Sequence, residues 1–95
     1  MPEMRFVVAW PDGREDRCYS PSLVVQDYLE VGQSYPLADF VSRSHAALSI
    51  ASDRVEAKFG HPCSLALGQL QSIEAAAKSF ADQPDALVRC TQFIL

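Results

Sequence analysis

His61-Pro-Cys63, together with the distant Cys18 and Cys90, supplies the residue types of a metal site or a thiol nucleophile. A structural zinc ion is held by paired ligands at close spacing, and here only His-x-Cys is local. The ordinary reading is a loop histidine beside a buried thiol at a helix start, and no metal or other cofactor is expected. Catalysis through Cys63 would need a lowered thiol pKa, which a helix N-terminus or a basic neighbour can supply. Cys63 precedes a helical run and has His61 close by, but the pattern offers no third orienting residue and no oxyanion hole. Cys18 reads as a core thiol packed on Phe6, since a free cysteine behaves as a small hydrophobe. Three cysteines, an odd number at wide spacing, argue against a disulfide framework. No residue is assigned a catalytic role.

His45 falls at the edge of a helical stripe near Val41 and Leu48, where a partly buried histidine making one hydrogen bond is usual. Asp12, Glu15 and Asp16 could pair carboxylates for acid–base work. With Arg14 and Arg17 interleaved on a hairpin tip, they read instead as a solvated, self-neutralising rim. The tyrosines Tyr19, Tyr28 and Tyr35 suit recognition better, because tyrosine offers a large apolar ring with a polar tip. Arg5, Val7, Arg17 and Tyr19 form the candidate binding patch.

The elements that position this patch follow from the spacing. Two strand-like runs flank Pro11-Asp-Gly13, a three-residue hairpin loop in which Pro presets φ and Gly supplies a left-handed residue. That loop pairs Trp10 with Arg14, Val8 with Asp16 and Phe6 with Cys18. Side chains alternate along a strand, so Phe6, Val8, Trp10 and Cys18 share the core face. Arg5, Val7, Glu15, Arg17 and Tyr19 share the other. After Ser20-Pro-Ser22, the run from Leu23 to about Val31 is ambiguous between a short helix ending near Gly32 and an extended segment, with the helix preferred. Pro36 opens a long helix to Lys58 or Phe59, stopped by Gly60, with Leu37, Val41, Ser44, Leu48, Ala51, Val55 and Phe59 on one stripe. A second helix runs from Ser64, its expected N-cap, to about Phe80, burying Ala66, Leu70, Ile73, Ala77 and Phe80. Asp82-Gln-Pro-Asp85 breaks it, and Ala86–Leu95 reads as a strand. Small residues line the helix backs, Ala46, Ile50 and Ala57 on the first and Gly68, Ser72, Ala75 and Ser79 on the second. The expected architecture is a single α+β domain over residues 1–95. A three-stranded, mainly antiparallel sheet, the N-terminal hairpin plus the C-terminal strand, packs on an α-helical hairpin with a short extra helix.

Ninety-five residues allow one core. The net charge of −4, with no basic stripe, argues against nucleic-acid binding and against a DNA-reading regulator. The apolar runs are too short to span a membrane, and the start lacks the signal-peptide pattern, so the expected location is cytoplasmic.

Trp10-Pro-Asp-Gly13, Cys18-Tyr-Ser-Pro-Ser22, Asp27-Tyr-Leu29, Tyr35-Pro36, Asp39-Phe-Val41, Ala51-Ser52 and Arg54-Val55 carry a family likeness. Through them the chain resembles the bacterial nitrogen starvation response proteins, small proteins encoded in a nitrilase gene cluster. The resemblance implies a setting in nitrogen assimilation and names no reaction and no active-site residue. The expected function is that of a non-catalytic accessory protein of such a pathway, acting through protein partners or self-association as a homodimer. The alternative is a small enzyme or ligand carrier with a pocket between sheet and helices.

Overall fold

The computed structural model describes residues 2–83 and 85–95. Strands β1 (Met4–Ala9) and β2 (Glu15–Ser20) form the N-terminal hairpin. They pair Val8 with Asp16, Phe6 with Cys18 and Arg5 with Tyr19, the register the loop length demands. Gly13 takes φ 88°, and the loop closes through Trp10 N–H to Arg14 O and Gly13 N–H to Trp10 O, each 2.8 Å. This is a type I turn followed by a left-handed glycine.

The sheet has four strands, not three, in the order β2-β1-β4-β3, with every pair antiparallel. The added strand β3 (Ser34–Pro36) pairs with the first residues of β4 (Leu87–Ile94). The expected sheet lacks it because Pro36 also fits the opening of a helix. Its φ of −54° with an extended ψ of 147° lets it end a strand and cap the helix at once. The ambiguous run after Ser22 is a 3-10 helix over Leu23–Asp27, shorter than the helix expected to reach Gly32. Its start is capped by the Ser22 hydroxyl. Strand β4 lies antiparallel beside β1 and carries a bulge at Thr91. Val88 and Cys90 face the core before the bulge, and the extra residue resets the alternation so that Phe93 pairs with Phe6 on the same side.

Helix α1 (Leu37–Phe59) ends on Gly60, whose φ of 84° is the left-handed stop. It buries Leu37, Phe40, Ser44, Ala47, Leu48, Ala51 and Ser52. Phe40 therefore replaces Val41 at the centre of the contact. Val55 is only half-buried and Phe59 is 59% exposed, because the last turns of α1 run past the sheet. Helix α2 (Ser64–Lys78) buries Ala66, Leu70, Ile73 and Ala77, and Phe80 just beyond its end. Its cap is Cys63 rather than Ser64, and the Cys63 N–H donates to the Ser52 hydroxyl of α1 at 3.1 Å. Pro84, part of the expected helix breaker, lies outside the described residues. No helix among the described residues is long and apolar enough to cross a membrane.

Trp10 ties these layers together. Its ring stacks on Phe80 at 6.0 Å and meets Phe40 edge-on at 5.6 Å, while its Nε1 donates to Asp16 at 2.7 Å. Trp10→Ala empties the junction of hairpin, α1 and the turn after α2, and should cost about 3–5 kcal/mol. Urea unfolding followed by circular dichroism measures this, since the variant has lost the only tryptophan. Asp16→Ala leaves the indole N–H without its partner and should cost about 1–2 kcal/mol. A loss under half a kilocalorie for either would contradict this account of the core.

Candidate functional site

Both helices cover one face of the sheet, and the other face is open. Across it Arg5 sits between Tyr19 and Ile94, Val7 between Arg17 and Gln92, and Ala9 between Glu15 and Arg89. The hairpin thus brings Arg5, Val7, Arg17 and Tyr19 together, and β4 adds Arg89, Gln92 and Ile94. Sequence reasoning did not name the β4 residues, because the strand's place in the sheet was open until its partner was known. The Arg5 guanidinium lies 4.7 Å above the Tyr19 ring, a cation–π contact, and 3.9 Å from the Glu3 carboxylate. Burial pushes the Tyr19 phenol above its usual range, with Cys63 and Glu3 adding to the effect. At one end of the face a hollow of about 240 Å³ opens between Glu3, Arg5, Ile94 and Leu95. Three arginines against Glu15 and Glu3 give this surface a positive balance on a chain whose net charge is −4.

The remaining candidates are scattered. Cys18 and Cys90 are buried in the core and flank β1 on the face opposite the patch. Burial, helped by Asp16, pushes the Cys18 thiol up to about 12, and burial also raises that of Cys90. Cys63 is half-buried rather than buried. His61 is exposed, with its Nδ1 3.3 Å from the carbonyl of Pro62. His45 was expected to be partly buried but is exposed, 4.0 Å from Glu74 on α2. The acidic rim is not self-neutralising: Asp12 accepts the Arg14 backbone N–H and Asp16 accepts the indole, and neither forms an ion pair among the described residues. Among the described residues no three or more His, Cys, Asp or Glu side chains gather as metal ligands would. Of the small residues on the helix backs, Ala46 and Ile50 are half-buried, and Ala57, Gly68, Ser72, Ala75 and Ser79 are exposed.

The space between sheet and helices is filled by Phe6, Val8, Phe40, Leu48 and Ile73. Concavities lie at the margins instead. An open apolar groove of about 480 Å³ runs over Leu37, Val41 and Ala77. A polar cleft of about 350 Å³ lies under the loop that joins the 3-10 helix to β3. In that cleft Arg43 is clamped: Nε donates to Asp39 and Nη1 to the Tyr28 carbonyl, both at 2.9 Å. The hydrogen bond to Asp39 raises the guanidinium pKa further. No motif marked Arg43, although Asp39 and Arg43 at i,i+4 are a legible helix pair.

The family model for nitrogen starvation-induced protein NitG matches residues 5–93 of the chain. No curated protein and no solved structure matches it.

The raised Cys18 thiol has a consequence for stability. The unfolded thiol ionises near pH 9 while the folded one stays protonated to about 12. Above pH 9 the unfolded state binds fewer protons, so stability falls as pH rises through that window, by at most about 1.4 kcal/mol per pH unit. Urea midpoints should fall more steeply with alkaline pH in the wild type than in Cys18→Ala. Parallel slopes would refute the burial argument.

Proposed function

Given that the chain belongs to the NitG family of nitrogen starvation-induced proteins, we propose that it is a non-catalytic accessory protein of that response. It docks through the open sheet face onto an acidic segment of a protein partner. The observation that carries this reading is the uncovered face itself, where Arg5, Arg17 and Arg89 surround Val7 and Tyr19. Arginine and tyrosine dominate the energetics of protein interfaces, and arginine pairs with carboxylates through a planar fork of donors. A positive face on an acidic chain selects for a negative partner and repels other copies of its own kind face to face. The two core thiols are also unsuited to chemistry. Burial keeps the thiols of Cys18 and Cys90 protonated, and a protonated thiol is a poor nucleophile. The partner belongs to the nitrogen-scavenging pathway in the cytoplasm, with the product of a nitrilase gene cluster as the first candidate.

The test uses the tagged full chain in nitrogen-starved cells, followed by direct binding of the purified partner. Arg17→Glu with Arg89→Glu should weaken that binding at least tenfold, and added salt should weaken the wild-type complex in the same direction. Both positions are solvent-exposed, so the double variant should keep its unfolding midpoint. Undiminished capture by the double variant would move the interface elsewhere. A dimer by light scattering that the double variant abolishes would assign the face to a second copy of the chain instead.

A further inference from the structure

The cleft beneath the loop before β3 sets free hydrogen-bond donors and unpaired carboxylates around one hollow. Arg43 is held from three sides, by Asp39, by the Tyr28 carbonyl, and by the Tyr35 ring 4.7 Å below its guanidinium. Its Nη2 has no partner among the described residues, and its side chain remains 41% exposed. Tyr35 is buried in turn, and its hydroxyl accepts the Glu30 backbone N–H at 2.9 Å, which leaves the phenolic proton to be donated. Two donors are therefore held in fixed positions before any ligand arrives, and immobilisation already achieved in the fold is not charged to binding.

The same hollow is lined by Asp27 and Glu30. Neither forms an ion pair among the described residues, and the Asp39 charge is already matched by Arg43. A simple anion on Arg43 would meet the charges of Asp39 and Glu30, which already act on the guanidinium, and a simple cation would leave the Nη2 edge and the Tyr35 hydroxyl without acceptors. A molecule carrying both charges answers both, and charge-assisted contacts of this kind are the strong ones. We propose that this cleft binds a small zwitterion of amino-acid type, its carboxylate on the free edge of Arg43 and Tyr35 and its ammonium between Asp27 and Glu30. A volume of about 350 Å³ lies within the range of small-molecule sites and limits the ligand to a small one. The site is separate from the open sheet face and stands or falls independently of it.

The test is a nuclear magnetic resonance titration of the full chain with the common L-amino acids. Acetate and methylammonium serve as single-charge controls. At least one amino acid at about millimolar concentration should shift the amides of Glu30 and Gln33, and neither control should. Asp27→Asn should weaken that binding about tenfold, the scale of one charge-assisted contact. Asp27 is exposed and makes no side-chain hydrogen bond among the described residues, so its loss should not disturb folding. Arg43→Lys keeps the charge but loses the fork, and it too should weaken binding once its fold is verified by circular dichroism. Three results would overturn the proposal: no response to any amino acid, an equal response to acetate or methylammonium alone, or unchanged affinity in Asp27→Asn.

Discussion

The structure depends on Trp10 being buried at the point where three elements meet. Strand β1 is central in the sheet, with β2 on one side and β4 on the other, so its inward residues Phe6 and Val8 are covered wherever the helices settle. Trp10 extends that line beyond the last paired residue. Its ring is gripped by Phe40 from α1 and by Phe80 from the turn after α2. Both contacts hold while the indole N–H reaches Asp16, which ties the position of the helices to that of the hairpin. A buried aromatic with a single polar handle specifies orientation as well as contributing area. The helical hairpin is fixed to the sheet at this end, and at its far end Phe59 is left in solvent.

One-sided packing has a consequence for the sheet. An antiparallel sheet can keep one face wet, and this one does. Its edges, by contrast, are guarded. Strand β2 presents Glu15, Asp16 and Arg17 to solvent, and its Tyr19 N–H is taken by the Gln69 side chain of α2 at 3.0 Å. Strand β3 is three residues long and ends in Pro36. Charges, brevity and proline are the usual protections against edge-to-edge pairing. Association by adding a strand is thereby disfavoured, and the open face is left as the surface on which contacts can form.

What could be read from the residues was whatever local chemistry decided. Pro11-Asp-Gly13 set the hairpin register, and with it the company of Arg5, Val7, Arg17 and Tyr19. Gly60 ended α1, and the spacing of Ala66, Leu70, Ile73 and Ala77 marked the buried side of α2. The misses came from tertiary choices. Whether Phe40 or Phe59 would be buried depended on where α1 overlies the sheet, which periodicity alone does not state. Strand β3 forms because the backbone of residues 32–37 finds partners on Ala86 and Cys90, with Gly32 N–H to Cys90 O at 2.7 Å. Three residues ending in proline carry too little pattern to announce that. The β4 bulge did leave a trace, since Thr91 and Gln92 interrupt the alternation between Cys90 and Phe93. The cleft left almost none, because its lining comes from a loop, an edge strand and a helix that meet only in the fold.

The distribution of cations supports the division of labour between the inside and the outside of the molecule. The chain has 8 basic residues, of which all but Lys58 and Lys78 are arginines. Arg43 and Arg54 are used internally: the first holds the loop carbonyl of Tyr28, and the second reaches the Ser22 hydroxyl at 2.9 Å to fasten α1 to the 3-10 helix. Arg14 stands at the hairpin tip. The other three, Arg5, Arg17 and Arg89, sit on strands of the open face, where their stems can lie along Val7 and Ala9 and their planar heads reach solvent. Lysine would serve solubility equally well at those positions. A guanidinium differs in being weakly hydrated and in meeting a carboxylate or an aromatic ring with its whole plane, and Arg5 already does so with Tyr19. A surface that only had to stay wet would have no need of that chemistry, and the arginines there support the proposed docking face.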